Sequence, residues 1–388
     1  MKIFVLLSRV PYPLDKGDKL RAFHQVKELS KRHEIILCAL SEGPVSDEAR
    51  NVLSQYCKHL EIIPLKKYLI PFNILKSFLK GNPLQVGFFY QNEVQKKINQ
   101  LINEHQPEHI FCQLVRVLEY VKHLNIPITL DYMDALSKGV ERRISSANIF
   151  YKPVFHLEST RLKAYEQKAF ENVTGRSIIS IQDRDLINHP DKEQILVVPN
   201  GVDTEYFQPQ ALQADYSLVF TGNMNYPPNV ECAEYLAKEI FPELLKKIPG
   251  AKLLISGVNP SSSVKALESE NITVSGWVKD IRQSYARASI FIAPMRIGTG
   301  LQNKLLEAMA MKKPCITSEL ANNALGAVAG KDILVGQSTA EYVDLIVKLL
   351  NDDKLRLELA QNGYSFVHNT YNWAKSTALL EQLMIIGV

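Results

Sequence analysis

At 388 residues the chain is long enough for two domains, and 46% hydrophobic with 22% charged residues is the balance of a globular protein, not a disordered one. The 45 Lys+Arg against 41 Asp+Glu leave a net charge of +4, too weak to argue for nucleic acid as a partner. Five scattered cysteines without a C-x-x-C pair read as reduced thiols, and no His/Cys cluster has metal-ligand spacing.

The opening run Ile3–Leu7 is too short for the core of a signal peptide and reads as a buried strand. No stretch approaches the roughly 18 apolar residues of a membrane span, so a cytoplasmic protein is expected, resting at most on a membrane surface. Strands are predicted at Lys2–Leu7, Ile35–Leu40, His59–Pro64, His109–Cys112, Ile128–Asp131, Ser177–Ile181 and Ile195–Val198, with helical spacing over Lys19–Lys31 among the segments between them. A second series follows at Tyr216–Thr221, Lys252–Ser256, Ile272–Ser275, Ile290–Ala293, Cys315–Thr317 and Ile333–Val335. Alternation of this kind is α/β with parallel sheets. The polar, proline-bearing stretch Pro199–Ala214 is the expected seam. It divides a first domain, 1–200, from a second, 201–373, with a closing helix at 374–388 assigned to the first. Two open α/β domains so joined are expected to face one another across a ligand-binding cleft. The first 200 residues hold 28 basic and 22 acidic side chains; the remainder holds 17 and 19.

The most informative segment is Ala293-Pro-Met-Arg-Ile-Gly-Thr-Gly-Leu-Gln-Asn-Lys-Leu-Leu-Glu-Ala-Met-Ala310. A strand ends, a loop with Gly298 and Gly300 follows, and a helix is expected from about Leu301. Glycines allow close backbone approach, and free amides at a helix start favour an anion. Lys304 and Glu307 share the loop's side of that helix. They suit a phosphate and a ribose diol; the plain alternative is a solvent-facing ion pair on an ordinary turn.

Taken with Val197-Val-Pro-Asn-Gly-Val-Asp203, Val274-Ser-Gly-Trp-Val-Lys-Asp280 and Ser284-Tyr-Ala-Arg-Ala-Ser-Ile-Phe-Ile-Ala-Pro294, this segment resembles the nucleotide-sugar-binding domain of family 4 glycosyltransferases with the GT-B fold. Arg296-x-Gly298-x-Gly300-x3-Lys304-x2-Glu307 and the opening Ser8-Arg-Val-Pro-Tyr-Pro13…Lys16-Gly-Asp-Lys-Leu-Arg21 are similar to a bacterial branch that builds cell-surface polysaccharide. The resemblance implies two Rossmann-like doubly wound domains and a final helix crossing back to the first. It implies transfer from a nucleoside-diphosphate sugar, with retention, to a saccharide or polyprenyl-linked acceptor, needing no metal or cofactor.

Carried across residue by residue, it gives Glu307 to the ribose and the backbone of Gly298, Thr299, Gly300, Leu301 and Gln302 to the diphosphate and sugar. Gly276 and Val278 would hold the base, Gly222 the loop after the first strand of the second domain, and Asn200 a place near the reacting centre. Gly17 would approach the phosphates from the first domain; apart from the resemblance, Arg21 on the helix beside that loop would suit a phosphate if it faces the cleft. The pattern is broken in three places. Thr299 stands where a Glu is common. The loop Thr221–Asn229 lacks the usual cations, leaving Lys304 and Arg296 for the phosphate charge. Asp131, followed by Asp134, replaces a His after an N-domain strand. These two carboxylates would orient or deprotonate the acceptor; the alternative is a helix N-cap and a first-turn acid. Glu158, Arg161 and Glu166 are expected to form a salt-bridged helix face. The basic, apolar stretch 65–80 would lie on the inner face of a membrane or, equally, pack on its own domain. A nucleotide-sugar epimerase or hydrolase on the same fold, and a non-catalytic sugar-nucleotide-binding subunit, are the rival readings.

Overall fold

The computed structural model describes residues 1–298 and 300–386 and divides into two units, Met1–Pro199 with the returning segment from Trp373, and Asn200–Asn372. The first unit holds seven strands: β1 (Lys2–Leu7), β2 (Glu34–Ser41), β3 (His59–Pro64), β4 (His109–Gln113), β5 (Ile128–Asp131), β6 (Gly175–Ile178) and β7 (Leu196–Val197). Every pairing is parallel and the order is β3-β2-β1-β4-β5-β6-β7. Successive residues of β1 feed opposite faces: Phe4 and Leu6 join one apolar cluster, Ile3, Val5 and Leu7 the other. A strand covered by helices on both sides must be apolar throughout, which is why it reads as an uninterrupted run.

The second unit repeats the plan with β8 (Tyr216–Thr221), β9 (Leu253–Ser256), β10 (Ile272–Gly276), β11 (Ala288–Ala293), β12 (Cys315–Ser318) and β13 (Leu334–Gly336), ordered β10-β9-β8-β11-β12-β13 and again parallel. The last helix, Trp373–Ile386, belongs to the first unit, where Trp373 stacks on His24 with ring centroids 4.8 Å apart.

Three expectations change. Ile181 is not in a strand: Ser180 caps a helix, Ile181–Leu186, by accepting the Asp183 N–H, and this ends β6 at Ile178. The helix after the glycine loop begins at Asn303, two residues later than expected. Glu158, Arg161 and Glu166 form no salt-bridged face. Glu158 accepts the Leu84 and Gln85 N–H groups, Arg161 lies over the Phe78 ring, and Glu166 holds the Ser137 N–H and hydroxyl.

Candidate functional site

In the second sheet, β8 lies between β9 and β11, so the chain turns to one side after β8 and to the other after β11. The crevice beyond the carboxyl ends of such strands is where open α/β sheets bind ligands. Two loops meet there. After β8, Gly222 sits against Asn229: a Cβ at 222 would come within 2.7 Å of the Asn229 amide nitrogen. After β11, the loop bends at Gly298 (φ +100°), where a Cβ would approach Pro228 at 3.7 Å. Thr299 lies outside the described residues. Gly300, Leu301 and Gln302 lead into the helix Asn303–Ala310, whose N-terminus the Gln302 side chain does not cap; it donates instead to the Gly300 carbonyl at 2.8 Å. The first-turn amides remain a positive pole facing the loop.

Lys304 and Glu307 rise from this helix, both partly open to solvent. The Lys304 ammonium donates to Asn229 Oδ1 (2.5 Å) and Gln302 Oε1 (3.3 Å) and lies 5.1 Å from the centre of the Phe220 ring. Lys304 thus ties the helix to the loop after β8. Burial lowers its pKa to about 8. Burial likewise raises that of Glu307 to about 7, against the opposing pull of a hydrogen bond from Tyr285 and of the Lys304 charge. The Tyr285 hydroxyl, with no exposed surface, donates to Glu307 Oε2 at 2.6 Å and meets the Thr221 hydroxyl at 2.8 Å. One carboxylate oxygen of Glu307 is therefore fixed from below by a buried chain anchored at the end of β8. Sequence spacing does not single out Tyr285, Thr221 or Asn229 for these jobs. The available signal is that a buried tyrosine hydroxyl must find a partner.

Asn200 opens the second unit, and its amide donates to Asn303 Oδ1 at 3.3 Å, placing it beside the first residue of the same helix. Gly276 has φ +65° at the end of β10, and the segment through Val278 leads to Asp280, which caps the next helix and pairs with Arg282. Arg296 departs from expectation. It pairs with Glu231 at 2.5 Å, lies 3.7 Å from Glu239 and stacks over Tyr235, so local carboxylates already neutralise it. Among the described residues, Lys304 is then the cation assembled with the glycine loop.

The first unit corrects two further assignments. Arg21 and Asp131 have no exposed surface and form a bidentate pair, Nε to Oδ2 at 2.6 Å and Nη2 to Oδ1 at 3.0 Å. Arg21 also donates to the Val198 carbonyl, and Ser177 donates to Asp131. This pair is a structural strut between a helix and β5; neither group is available as phosphate cation or base. Asp134 is different: the residue keeps exposed surface although protein crowds its carboxyl group, and it follows Met133, held at φ +65°. It is not a cap, because the helix Leu136–Ser146 starts from Ala135 without a side-chain cap. Surrounding protein and the Asp183 carboxylate raise its pKa to about 6, while Arg116 acts in the opposite sense. Gly17 starts the helix Gly17–Leu29, where a Cβ would meet the flexible Met133 methyl at 3.4 Å, an ordinary contact. Among the described residues no group of three His, Cys, Asp or Glu side chains could hold a metal ion.

Residues 215–352 match the family model described as glycosyl transferases group 1. The second unit is a group 1 glycosyltransferase domain. The full chain is similar to an uncharacterised 44.6 kDa protein of the cps region of Klebsiella pneumoniae, 22% identical over 96% of this chain and 97% of that one. It is also similar to an Escherichia coli UDP-Gal:α-D-GlcNAc-diphosphoundecaprenol α-1,3-galactosyltransferase, 25% identical over 50% of this chain and 55% of the relative. Among solved structures, Anabaena HepE in complex with UDP and glucose superposes with a TM-score of 0.67 at 13% identity, covering 98% of each chain. The two parallel-sheet units are thus the Rossmann-like domains of the GT-B fold, and the chain is a glycosyltransferase.

Proposed function

We propose that this glycosyltransferase moves a sugar from a nucleoside-diphosphate sugar to a lipid-linked saccharide in the synthesis of a cell-surface polysaccharide. The carrying observation is the assembly at the β8/β11 switch point: a glycine loop, an uncapped helix N-terminus, Lys304 tied to Asn229, and Glu307 held by Tyr285. Glu307 accepts hydrogen bonds from the ribose diol. The amides of Gly298, Gly300, Leu301 and Gln302, together with Lys304, stabilise the departing diphosphate, a role that grows as charge develops in the transition state. Lys304 and the amides then carry the charge that a metal ion would otherwise meet, so turnover should persist in chelator. Asn200 stands at the same helix start, near the transferred sugar. In the first domain Asp134, with its pKa raised to about 6, orients the acceptor hydroxyl or takes its proton.

The acceptor class rests on the E. coli relative, whose name specifies a diphosphoundecaprenol acceptor, and on the match to the cps-region protein. The HepE complex makes a uridine nucleotide the first donor to try. No helix among the described residues is long and apolar enough to cross a membrane. We assign contact with the inner leaflet to the basic stretch 65–80, and retention of anomeric configuration to the transfer. The test is a thermal-shift screen of UDP-, GDP-, ADP- and dTDP-sugars, followed by turnover of the stabilising donor with a polyprenyl-diphosphate saccharide, with and without EDTA. Donor-dependent product formed equally in EDTA is expected. Donor hydrolysis or isomerisation without acceptor dependence would overturn the reading.

A further inference from the structure

The sequence has no Asp or Glu between Glu61 and Glu93, and none between Glu141 and Glu158. The first window carries Lys66, Lys67, Lys76 and Lys80; the second carries Arg142, Arg143 and Lys152. In the helix Ile70–Leu79 the buried residue is Ser77, whose hydroxyl donates to the Pro83 carbonyl and whose Cβ fits against Gly87. The side turned inward carries Ser77 with the half-buried Ile70, Asn73 and Ile74, and leaves the larger apolar side chains outside. Phe72, Leu75 and Leu79, at i, i+3 and i+7, are 66%, 56% and 76% exposed, and Tyr68 just before them is 73% exposed. A helix packed on its domain by its apolar side would show the opposite pattern.

The second window presents Ile149, Phe150 and Tyr151, 72%, 83% and 63% exposed, and then Val154 at the start of the helix Lys152–Glu171. This helix meets the first window directly. Glu158 accepts the Leu84 and Gln85 N–H groups, and Arg161 donates to the Asn82 carbonyl and lies 4.5 Å over the Phe78 ring. Val154, Glu158 and Arg161 stand at i, i+4 and i+7, on one side of the helix. The exposed Val154 is thus about 10 Å along the same side from the contact with Phe78. The two apolar windows belong to one surface, edged by basic residues.

We infer that the segment 149–154 acts with 65–80 as a second insertion point, seating the first domain on an anionic phospholipid surface. This rests on the membrane contact proposed above and extends it. Large aromatic and aliphatic side chains edged by the exposed Lys67, Lys76, Lys80, Arg142, Arg143 and Lys152, with Lys66 paired to Glu93 at the rim, match the interface of a negatively charged bilayer, with rings among the acyl chains and cationic groups at the phosphates. Two anchoring segments also fix the domain's orientation on the surface, which one helix would leave free to roll.

The experiment is sedimentation of the full chain with phosphatidylethanolamine/phosphatidylglycerol vesicles and with phosphatidylcholine vesicles, using the wild type, Ile149→Ser/Phe150→Ser and Phe72→Ser/Leu75→Ser. All four positions are exposed, so folding should be retained, and an unchanged melting temperature checks it. The wild type should bind anionic vesicles at least tenfold better than neutral ones, and each double variant should lose at least tenfold. If Phe72→Ser/Leu75→Ser loses binding while Ile149→Ser/Phe150→Ser binds like wild type, the second insertion point is wrong and the contact through 65–80 stands. If the wild type ignores anionic vesicles, both fall. A dimer that Ile149→Ser/Phe150→Ser dissociates would replace the lipid by a second copy of the chain.

Discussion

The two domains share a strand plan, β3-β2-β1-β4-β5 in one and β10-β9-β8-β11-β12 in the other, yet they place their charges differently at the ends of those strands. In the first, an arginine and an aspartate close on one another with no exposed surface. In the second, Lys304 and Glu307 stay partly open and are held by neutral groups, an asparagine amide oxygen and a tyrosine hydroxyl. A charge satisfied by an opposite charge inside the protein has nothing left for a ligand. A charge held by neutral dipoles keeps its field and its remaining hydrogen-bonding capacity. The same residue types are therefore spent as scaffold in one domain and left with capacity for a ligand at the proposed site of the other.

The comparison breaks most visibly at Asp131. Asp131→Ala strands a buried arginine charge and should destabilise the first domain by about 3–5 kcal/mol. Thermal denaturation should show the loss while the second domain still binds UDP. A variant that melts like wild type yet turns over no sugar would return Asp131 to the chemistry.

A smaller effect separates phosphate from nucleoside. Lys304→Ala should weaken UDP binding by about 1.5–3 kcal/mol, the worth of a hydrogen bond to a charged group, and leave uridine affinity nearly unchanged. The pH profile carries the same information. Glu307, raised to about 7, must ionise to accept fully, so UDP affinity should climb as pH rises through that value. Lys304, lowered to about 8, loses its proton above that value, so affinity should fall again. Titration calorimetry from pH 6 to 9 should show both limbs in the wild type and lose the upper one in Lys304→Ala. A flat profile would contradict the assignment.

The smallest effect is expected at Tyr285. Tyr285→Phe removes one neutral donor and should cost roughly 0.5–1.5 kcal/mol of UDP affinity. Because the Tyr285 hydrogen bond lowers the Glu307 pKa, its loss should move the lower limb of the profile to higher pH. Weakened affinity with an unmoved limb would mean that Tyr285 acts only by packing.

What the sequence reveals and conceals follows the same physical division. Parallel strands buried on both faces must be continuously apolar, so runs such as Ile3–Leu7 and Ile290–Ala293 can be read directly. The glycine loop, Lys304 and Glu307 are legible because they lie within ten residues on one helix start. Pairings across the chain are not. Arg21 meets Asp131 over a separation of 110 residues, and Arg296 meets Glu231 over 65, and no local pattern distinguishes these paired charges from free ones. Orientation is hidden as well. The helix at 70–79 has the composition of one packed through its apolar side, and only the fit of Ser77 against Gly87 shows it turned outward.

The most direct measurement of the central claim is the UDP affinity of Glu307→Ala, by calorimetry at pH 7.5. If a neutrally held Glu307 carries the ribose, affinity should fall roughly tenfold to a hundredfold, the equivalent of about 1.5–3 kcal/mol. Wild-type affinity in a folded Glu307→Ala protein would show that the crevice at the β8/β11 switch point does not hold the nucleotide in this way.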